Sequence, residues 1–178
     1  MDLRHDRSTF SDAEAVATLP LTITEVGMER LDLIRRLNVA IFDDEHIINT
    51  FDRDGILMLV AWTEDQTPVG FKLGYRLDDE TFYSAKGGVR EEYRRNGIAR
   101  ALLHALLAAA TERGYERFVY DTFPNKHPGM TVMGLDEGFT VVRAGYSPRY
   151  QDYRLRFALP LDEPESKKRR DVDQGEAT

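Results

Sequence analysis

The sequence predicts an α/β fold in which helices flank a sheet of mixed strands. The strand candidate Thr81–Val89 is followed by a helical pattern that begins at Ile98, and another strand candidate covers residues 115–123. A strand, a helix and a strand in this order are typical of two parallel strands joined by a right-handed crossover. Two apolar runs, at residues 56–62 and 69–76, flank a polar turn and predict a β-hairpin. A parallel pair and a hairpin in one chain indicate a mixed sheet.

The other elements can be placed in chain order. Residues 19–26 alternate apolar and polar side chains, which predicts a first strand. The next stretch has apolar residues every three or four positions, at Met28, Leu31, Ile34, Leu37 and Ile41. This spacing predicts an amphipathic helix, and we expect a shorter helical piece around residues 46–51. Near the end, a short helix at residues 130–135 precedes two strands, at residues 140–146 and 152–159.

The size and composition of the chain fit one globular domain. The chain has 178 residues, of which 42% are hydrophobic, and this suffices for a sizeable core. We expect a flexible lead-in over residues 1–18, the folded domain over residues 19–160 and a charged, disordered tail over residues 161–178. The tail prediction depends on charge, because residues 160–178 hold four basic and six acidic side chains.

Composition also excludes several kinds of site and partner. The chain has no cysteine, which excludes disulfides, zinc–thiolate sites and a cysteine nucleophile. The four histidines lack the spacing of metal ligands, so we expect no metal site. A net charge of -7 argues against nucleic acid as the main partner. No apolar run is long enough to span a membrane and the N-terminus lacks the order of a secretory signal, so we expect a cytoplasmic protein without membrane contacts.

A basic turn separates the strand Thr81–Val89 from the helix that follows it. Residues 86–100 contain five basic and two acidic side chains, a local charge of +3 on an acidic chain. The first N–H groups of a helix have no intrahelical partner and lie at the positive end of its dipole. Gly97 has no Cβ, so the backbone can approach an anion closely, and Arg94, Arg95 and Arg100 add donors that suit phosphate oxygens. The turn therefore predicts a phosphate site, and the alternative is an ordinary helix N-terminus with solvated arginines.

The turn also carries a family resemblance. Residues 94–99 have the form Arg-x-x-Gly-x-Ala, which resembles the signature of the GNAT family of N-acetyltransferases. In that family the signature lies between the fourth strand and the helix that holds the pyrophosphate of acetyl-coenzyme A. A second likeness is Asn125 beyond the fifth strand, followed by a short helix and Gly138-Phe139. The resemblance extends from about residue 19 to about residue 159, and it implies a mostly antiparallel sheet splayed between strands four and five.

The resemblance implies the reactants as well as the fold. It implies acetyl-coenzyme A as acyl donor and a primary amine of a small molecule, peptide or protein as acceptor, with direct attack in a ternary complex. In the family, the edge of strand four pairs with the pantetheine arm of the coenzyme. The residues carried over as coenzyme-binding are Val89, Arg94, Arg95, Asn96, Gly97, Ile98, Ala99, Arg100 and Asn125. A homodimer is left open.

The residues that would move protons depart from the family pattern. Many relatives carry a tyrosine on the short fourth helix, at the position of Gly134, and some use a strand-four glutamate that falls near Tyr83 and Ser84. The remaining catalytic candidates are Asp121, His127 in the loop after the fifth strand, and Tyr83 or Tyr146 acting through water. Each has a structural alternative, Asp121 as a hydrogen-bonded acid at a strand end, His127 as an ordinary loop residue and the tyrosines as residues at the edge of the core. Because of these departures, a second function remains an alternative, in which the chain is a non-catalytic module that binds or senses acyl-coenzyme A.

Three carboxylates lie in a row after the first predicted helix, at Asp43, Asp44 and Glu45. In the family this junction borders the acceptor cleft, so the resemblance implies a cationic amine that is drawn by these charges. The alternative is a solvated acidic cap at the start of the second predicted helix, where carboxylates favour the helix dipole.

Overall fold

The computed structural model describes residues 10–162, so nearly all of the predicted tail lies outside the described residues. Within this part, the α-helices are α1 (Ser11–Glu14), α2 (Leu31–Phe42), α3 (Ile98–Glu112) and α4 (Pro128–Asp136). The strands are β1 (Leu21–Val26), β2 (Leu57–Thr63), β3 (Pro68–Arg76), β4 (Thr81–Val89), β5 (Arg117–Thr122), β6 (Thr140–Ser147) and β7 (Asp152–Pro160).

The strands form one sheet in the order β1-β2-β3-β4-β5-β7-β6. The pairs β1–β2, β2–β3, β5–β7 and β6–β7 are antiparallel, whereas β4 and β5 are parallel and are joined through α3. This confirms the predicted α/β fold with a mixed, mostly antiparallel sheet. The parallel pairing covers Thr81–Ser84 of β4, although β4 continues to Val89. A pairing that ends before its strands end is expected where two strands diverge.

The predicted second helix, at residues 46–51, is wrong. Asp43 adopts a left-handed conformation with φ of 51° and ends α2. The side-chain amide of Asn38 then donates hydrogen bonds to the main-chain oxygens of Asp44 and His46. Residues 46–50 form no helix, because the side chain of Asn38 supplies the partner that helical amides would otherwise provide.

The predicted lead-in contains ordered contacts from residue 10 onward. Residues Ser11–Glu14 form the single turn of α1. The ring of Phe10 is buried, and the Glu14 carboxylate accepts a hydrogen bond of 2.8 Å from the main-chain N–H of Ile23 on β1. These contacts attach residues 10–14 to the first strand of the sheet.

The chain divides into two compact units, which share β3, β4 and α3. The first comprises described residues 10–74 and 86–108, and its core is formed by Ile34 and Leu37 of α2, the apolar residues of β2 and β3, and Leu102 and Leu106 of α3. The second comprises residues 75–85 and 109–162. Its core is aromatic and contains Phe82, Phe118, Tyr120, Phe139 and Phe157.

Glycine lets α2 approach β4 closely. A Cβ on Gly88 would lie 2.7 Å from Cγ2 of Ile41 and 2.8 Å from the ring of Phe42, distances that real Cβ atoms essentially never show. The end of α2 therefore lies directly on β4. Between residues 10 and 162, no helix has both the length and the apolar character needed to cross a bilayer.

Candidate functional site

The turn before α3 has the backbone that an anion site requires. Arg95 and Gly97 have φ angles of 64° and 74°, so the chain reverses through two left-handed residues and enters the helix at Ile98. The amide of Ala101 donates to the oxygen of Gly97 at 2.9 Å. Helix geometry leaves the amides that precede Ala101 without a carbonyl partner within α3. These amides and the positive end of the helix dipole can together hold a phosphate.

Two of the predicted coenzyme-binding side chains brace this turn from within. Nδ2 of Asn96 donates to the main-chain oxygens of Tyr93 at 2.9 Å and Arg94 at 3.2 Å. Nε of Arg94 donates to the oxygen of Val89 at 3.2 Å, which ties the turn to the end of β4. The contribution of Asn96 and Arg94 is thus to shape the backbone. The side chain of Arg95 is exposed, and it donates no hydrogen bond to any other group among the described residues.

The segment after α1 lies against the same turn. The amide of Thr18 donates to the oxygen of Asn96 at 2.8 Å, and its hydroxyl donates to Oδ1 of Asn96 at 3.1 Å. A Cβ on Gly97 would lie 2.7 Å from the carbonyl oxygen of Val16. Gly97 is therefore required by its positive φ and by the close approach of residue 16, in addition to the predicted approach of an anion.

The predicted catalytic candidates Tyr83 and Asp121 are in contact. The hydroxyl of Tyr83 donates to Oδ2 of Asp121 at 3.3 Å, and Arg156 donates to both oxygens of Asp121, from Nε at 2.8 Å and from Nη2 at 3.0 Å. Burial, with the charge of Asp121, raises the pKa of Tyr83 well above its usual value, and the hydrogen bond to Asp121 raises the pKa of Arg156. The two-pronged guanidinium of Arg156 thus occupies both oxygens of the Asp121 carboxylate. The structure thus favours the alternative in which Asp121 is a hydrogen-bonded strand residue.

The third candidate, Tyr146, has a different environment. Its side chain is 56% exposed, and its ring packs on that of Tyr153 with centroids 5.4 Å apart. Tyr146 lines a cavity of about 190 Å³ together with Asp121. The structure therefore brings Tyr83 and Asp121 together, whereas Tyr146 pairs with Tyr153 and its side chain lies on the other face of the sheet from Asp121. Tyr146 is the more exposed of the two candidate tyrosines.

The space beside Gly134 is occupied by Tyr120. A Cβ on Gly134 would lie 1.9 Å from the hydroxyl of Tyr120, which donates to the oxygen of Met130 at 3.0 Å. A tyrosine at position 134 is therefore sterically excluded. Burial raises the pKa of Tyr120 to about 12, and its proton is already donated within the protein. Tyr120 is a buried residue of β5 whose hydroxyl is bonded to α4.

Asn125 and Asp44, which the sequence analysis singled out, both have partners within the protein. Asn125 donates from Nδ2 to the carboxylate of Asp152 at 2.7 Å, and this bond lowers the pKa of Asp152 at the start of β7. In the acidic row, the carboxylate of Asp44 accepts from the amide of His46 at 3.0 Å and lies 3.8 Å from Nζ of Lys86. Asp44 is therefore partly neutralised within the protein.

Sequence reasoning missed three arginines. Arg143, Arg154 and Arg156 line the cavity that also contains Asp121 and Tyr146. No motif marks them, because they become neighbours only through the pairing of β6 with β7.

Comparison with known proteins supports the resemblance. A family model described as Acetyltransferase (GNAT) family matches residues 28–130. No curated protein matches the chain by sequence.

Several solved structures share the fold. The ribosomal-protein-S18-alanine N-acetyltransferase from Escherichia coli has a TM-score of 0.66 and 16% identity, and the match covers 80% of this chain and 94% of that one. An IAA acetyltransferase from Bacillus cereus has a TM-score of 0.68 and 18% identity, with 79% and 99% covered. Mutant forms of a spermidine/spermine N-acetyltransferase from Vibrio cholerae have a TM-score of 0.62 and 13% identity, and the match covers 83% of this chain and 98% of that one. At these identities the likeness shows the fold alone.

Proposed function

Because the chain belongs to the GNAT family of acetyltransferases, we propose that it moves the acetyl group of acetyl-coenzyme A to a primary amine of a small molecule, peptide or protein. The observation that carries the proposal is the turn before α3, where left-handed residues Arg95 and Gly97 lead into a helix whose first amides lack helical partners. This backbone fits a pyrophosphate, and the exposed Arg95 adds a positive charge beside it.

The coenzyme would be held mainly by backbone groups. The amides of Ile98, Ala99 and Arg100 occupy the first turn of α3, while Asn96 and Arg94 keep the preceding turn in shape through the bonds given above. The far end of β4, up to Val89, lies beyond the residues that pair with β5 and offers an edge for the pantetheine arm. Acetyl-coenzyme A supplies a thioester, which an amine can attack directly.

The transfer forms a nitrogen–carbon bond, breaks the carbon–sulfur bond, takes a proton from the amine and gives one to the departing thiolate. Arg156 occupies both oxygens of Asp121, so the carboxylate already has its hydrogen-bond partners within the protein. Tyr83 has a raised pKa, so its phenol holds its proton too firmly to supply the thiolate. We propose that the exposed hydroxyl of Tyr146, acting through water, is the proton donor and that water removes the proton of the amine.

The second candidate function is a module that binds acyl-coenzyme A without turnover. It is favoured by the occupied carboxylate of Asp121 and by the steric exclusion of a tyrosine at Gly134. Both functions need the turn before α3, so coenzyme binding alone cannot separate them.

Two measurements test the proposal. Calorimetric titration should give tighter binding of coenzyme A than of pantetheine, which lacks the pyrophosphate, by about 100-fold or more if the turn supplies two or more charge-assisted hydrogen bonds. Equal binding of the two ligands would refute the coenzyme site. Release of free thiol from acetyl-coenzyme A, recorded with a panel of amino acids, peptides and polyamines, should identify acceptors. Tight coenzyme binding with no thiol release for any amine would favour the binding module.

A further inference from the structure

The cavity beside Asp121 has an unusual lining. It encloses about 190 Å³, and its charged residues are Asp121, Arg143, Arg154 and Arg156, which give it a net charge of +2. Ser147, which lies on the same face of β6 as Arg143 and Gly145, adds a hydroxyl group. Whole small molecules usually occupy pockets of about 300 Å³ or more, so this cavity suits one group of a larger ligand.

A β-bulge brings the arginines together. Val141 pairs with Phe157, but the next pair is Arg143 with Arg156, so Val142 is an extra residue in β6. Since a shift of one residue turns side chains to the opposite face of a strand, the bulge aligns Arg143 with Arg156. Gly145 pairs with Arg154, and a Cβ on Gly145 would meet no atom within 4 Å. The floor of the cavity is therefore open.

Two of the three arginines are not neutralised by the protein. Asp121 is paired with Arg156. Among residues 10–162, no acidic side chain forms an ion pair with Arg143 or Arg154. Arg143 lies directly opposite Arg156 across the β6–β7 ladder, and like charges in this position destabilise a sheet. An anion in the cavity would remove this repulsion and would meet donors from three side chains.

We propose that this cavity binds the carboxylate of the acceptor, so that the protein acetylates amines that also carry a carboxylate, such as amino acids and short acidic peptides. The inference rests on the proposed function and narrows its acceptor class. Guanidinium groups match the planar, two-oxygen shape of a carboxylate, and the lining residue Asp121 is hydrogen-bonded to Tyr83, another catalytic candidate of the second unit. A polyamine has no group that complements three arginines, and its charge is repelled by them.

The test compares acceptors with and without the carboxylate, with kcat/KM referred to the free amine, because a carboxamide also makes the neighbouring amine less basic. For each amino acid and its carboxamide, kcat/KM should favour the acid by about 10- to 100-fold, which corresponds to one charge-assisted hydrogen-bonded contact. The variant with Arg143→Gln and Arg154→Gln should lose this preference through a higher KM for the acid, with kcat for the carboxamide retained. Gly145→Val, which fills the cavity without removing charge, should also raise KM for the acid. Arg149→Gln, on the turn between β6 and β7 and outside the lining, is the matched control and should keep the preference.

The outcomes separate the two proposals. Thiol release with carboxamides or polyamines, without preference for the acid, would overturn the carboxylate site and leave the acetyltransferase proposal standing. A preference that survives the double arginine variant would also overturn it. If no amine is acetylated, the site is tested by titrating glutarate into the parent and the double variant. Binding by the parent alone supports the carboxylate site, and equal or absent binding refutes it.

Discussion

Lys72 is a buried lysine in the middle of β3. Its side chain is 8% exposed, and no acidic residue within the described range 10–162 pairs with it. It packs beside Gly87 on β4, where a Cβ would lie 3.0 Å from Cγ of Lys72. Burial lowers the pKa of Lys72 from 10.5 to about 8, because removing the ammonium from water disfavours its charged form.

The size of this effect follows from the pKa. Each pKa unit corresponds to about 1.4 kcal/mol, so the charged Lys72 costs the folded state roughly 3 kcal/mol at neutral pH. Between pH 8 and 10.5 the unfolded chain binds more protons at this residue than the folded protein does. The contribution of Lys72 to stability therefore rises with pH across this window, and the full cost is present below about pH 8.

Lys72→Met should remove the cost while keeping the length of the side chain. We expect the free energy of unfolding to increase by about 2 to 3 kcal/mol at pH 7, and we expect the advantage of the variant to vanish by about pH 10.5. Urea unfolding at pH 7, 8.5 and 10, followed by the fluorescence of Trp62, measures both. Lys126→Met is the matched control. Lys126 is exposed, so its charge carries no burial penalty in the folded state that the substitution could relieve. A variant that is no more stable than the parent at pH 7, or a difference that is independent of pH, would refute the reasoning.

Two further predictions concern the coenzyme turn and the tyrosines. Gly97→Ala should lower stability by about 1 to 2 kcal/mol and weaken coenzyme A binding, because the new Cβ meets the carbonyl of residue 16 and φ is positive; Gly114→Ala has a similar φ of 86° in open space and should leave binding unchanged. Unaltered binding by folded Gly97→Ala would contradict the site. Tyr83→Phe should leave the pH dependence of kcat unchanged, because its raised pKa keeps the phenol protonated. Tyr146→Phe should lower kcat about tenfold or more if its hydroxyl carries the proton, and an unchanged kcat would leave water as the donor.

The order of strands could be predicted because it is carried by local patterns. The alternation in β1, the apolar run of β2 and the helical spacing of α3 each need only a short window of sequence. The turn before α3 was also predictable, since Gly97 among arginines has a meaning that depends on backbone geometry alone. The helix expected at residues 46–51 does not form, and the reason lies outside that stretch of sequence. There, the side chain of Asn38 on α2 binds main-chain oxygens six and eight residues later, and such a contact leaves no periodic signal in the sequence.

The roles of the site residues were less predictable than their positions. Asn96 and Arg94 lie in the predicted turn, yet their side chains bind main-chain oxygens of the turn itself. Asp121 was predicted as a candidate base, but its function depends on Arg156, which lies 35 residues later in the sequence. Such pairings are set by strand register, which sequence patterns specify only through the turn and the buried face.

The arginine cavity is the strongest case of this kind, because a single extra residue creates it. Without the bulge at Val142, the pairing of Val141 with Phe157 would continue with Val142 opposite Arg156, and Arg143 would turn to the other face of β6. A sheet that places Arg143 opposite Arg156 accepts a repulsion that a one-residue deletion would remove. Bulges next to active sites commonly re-aim a side chain in this way. The proposed carboxylate site is therefore a matter of register, and a comparison of sequences that ignores one-residue insertions in β6 would overlook it.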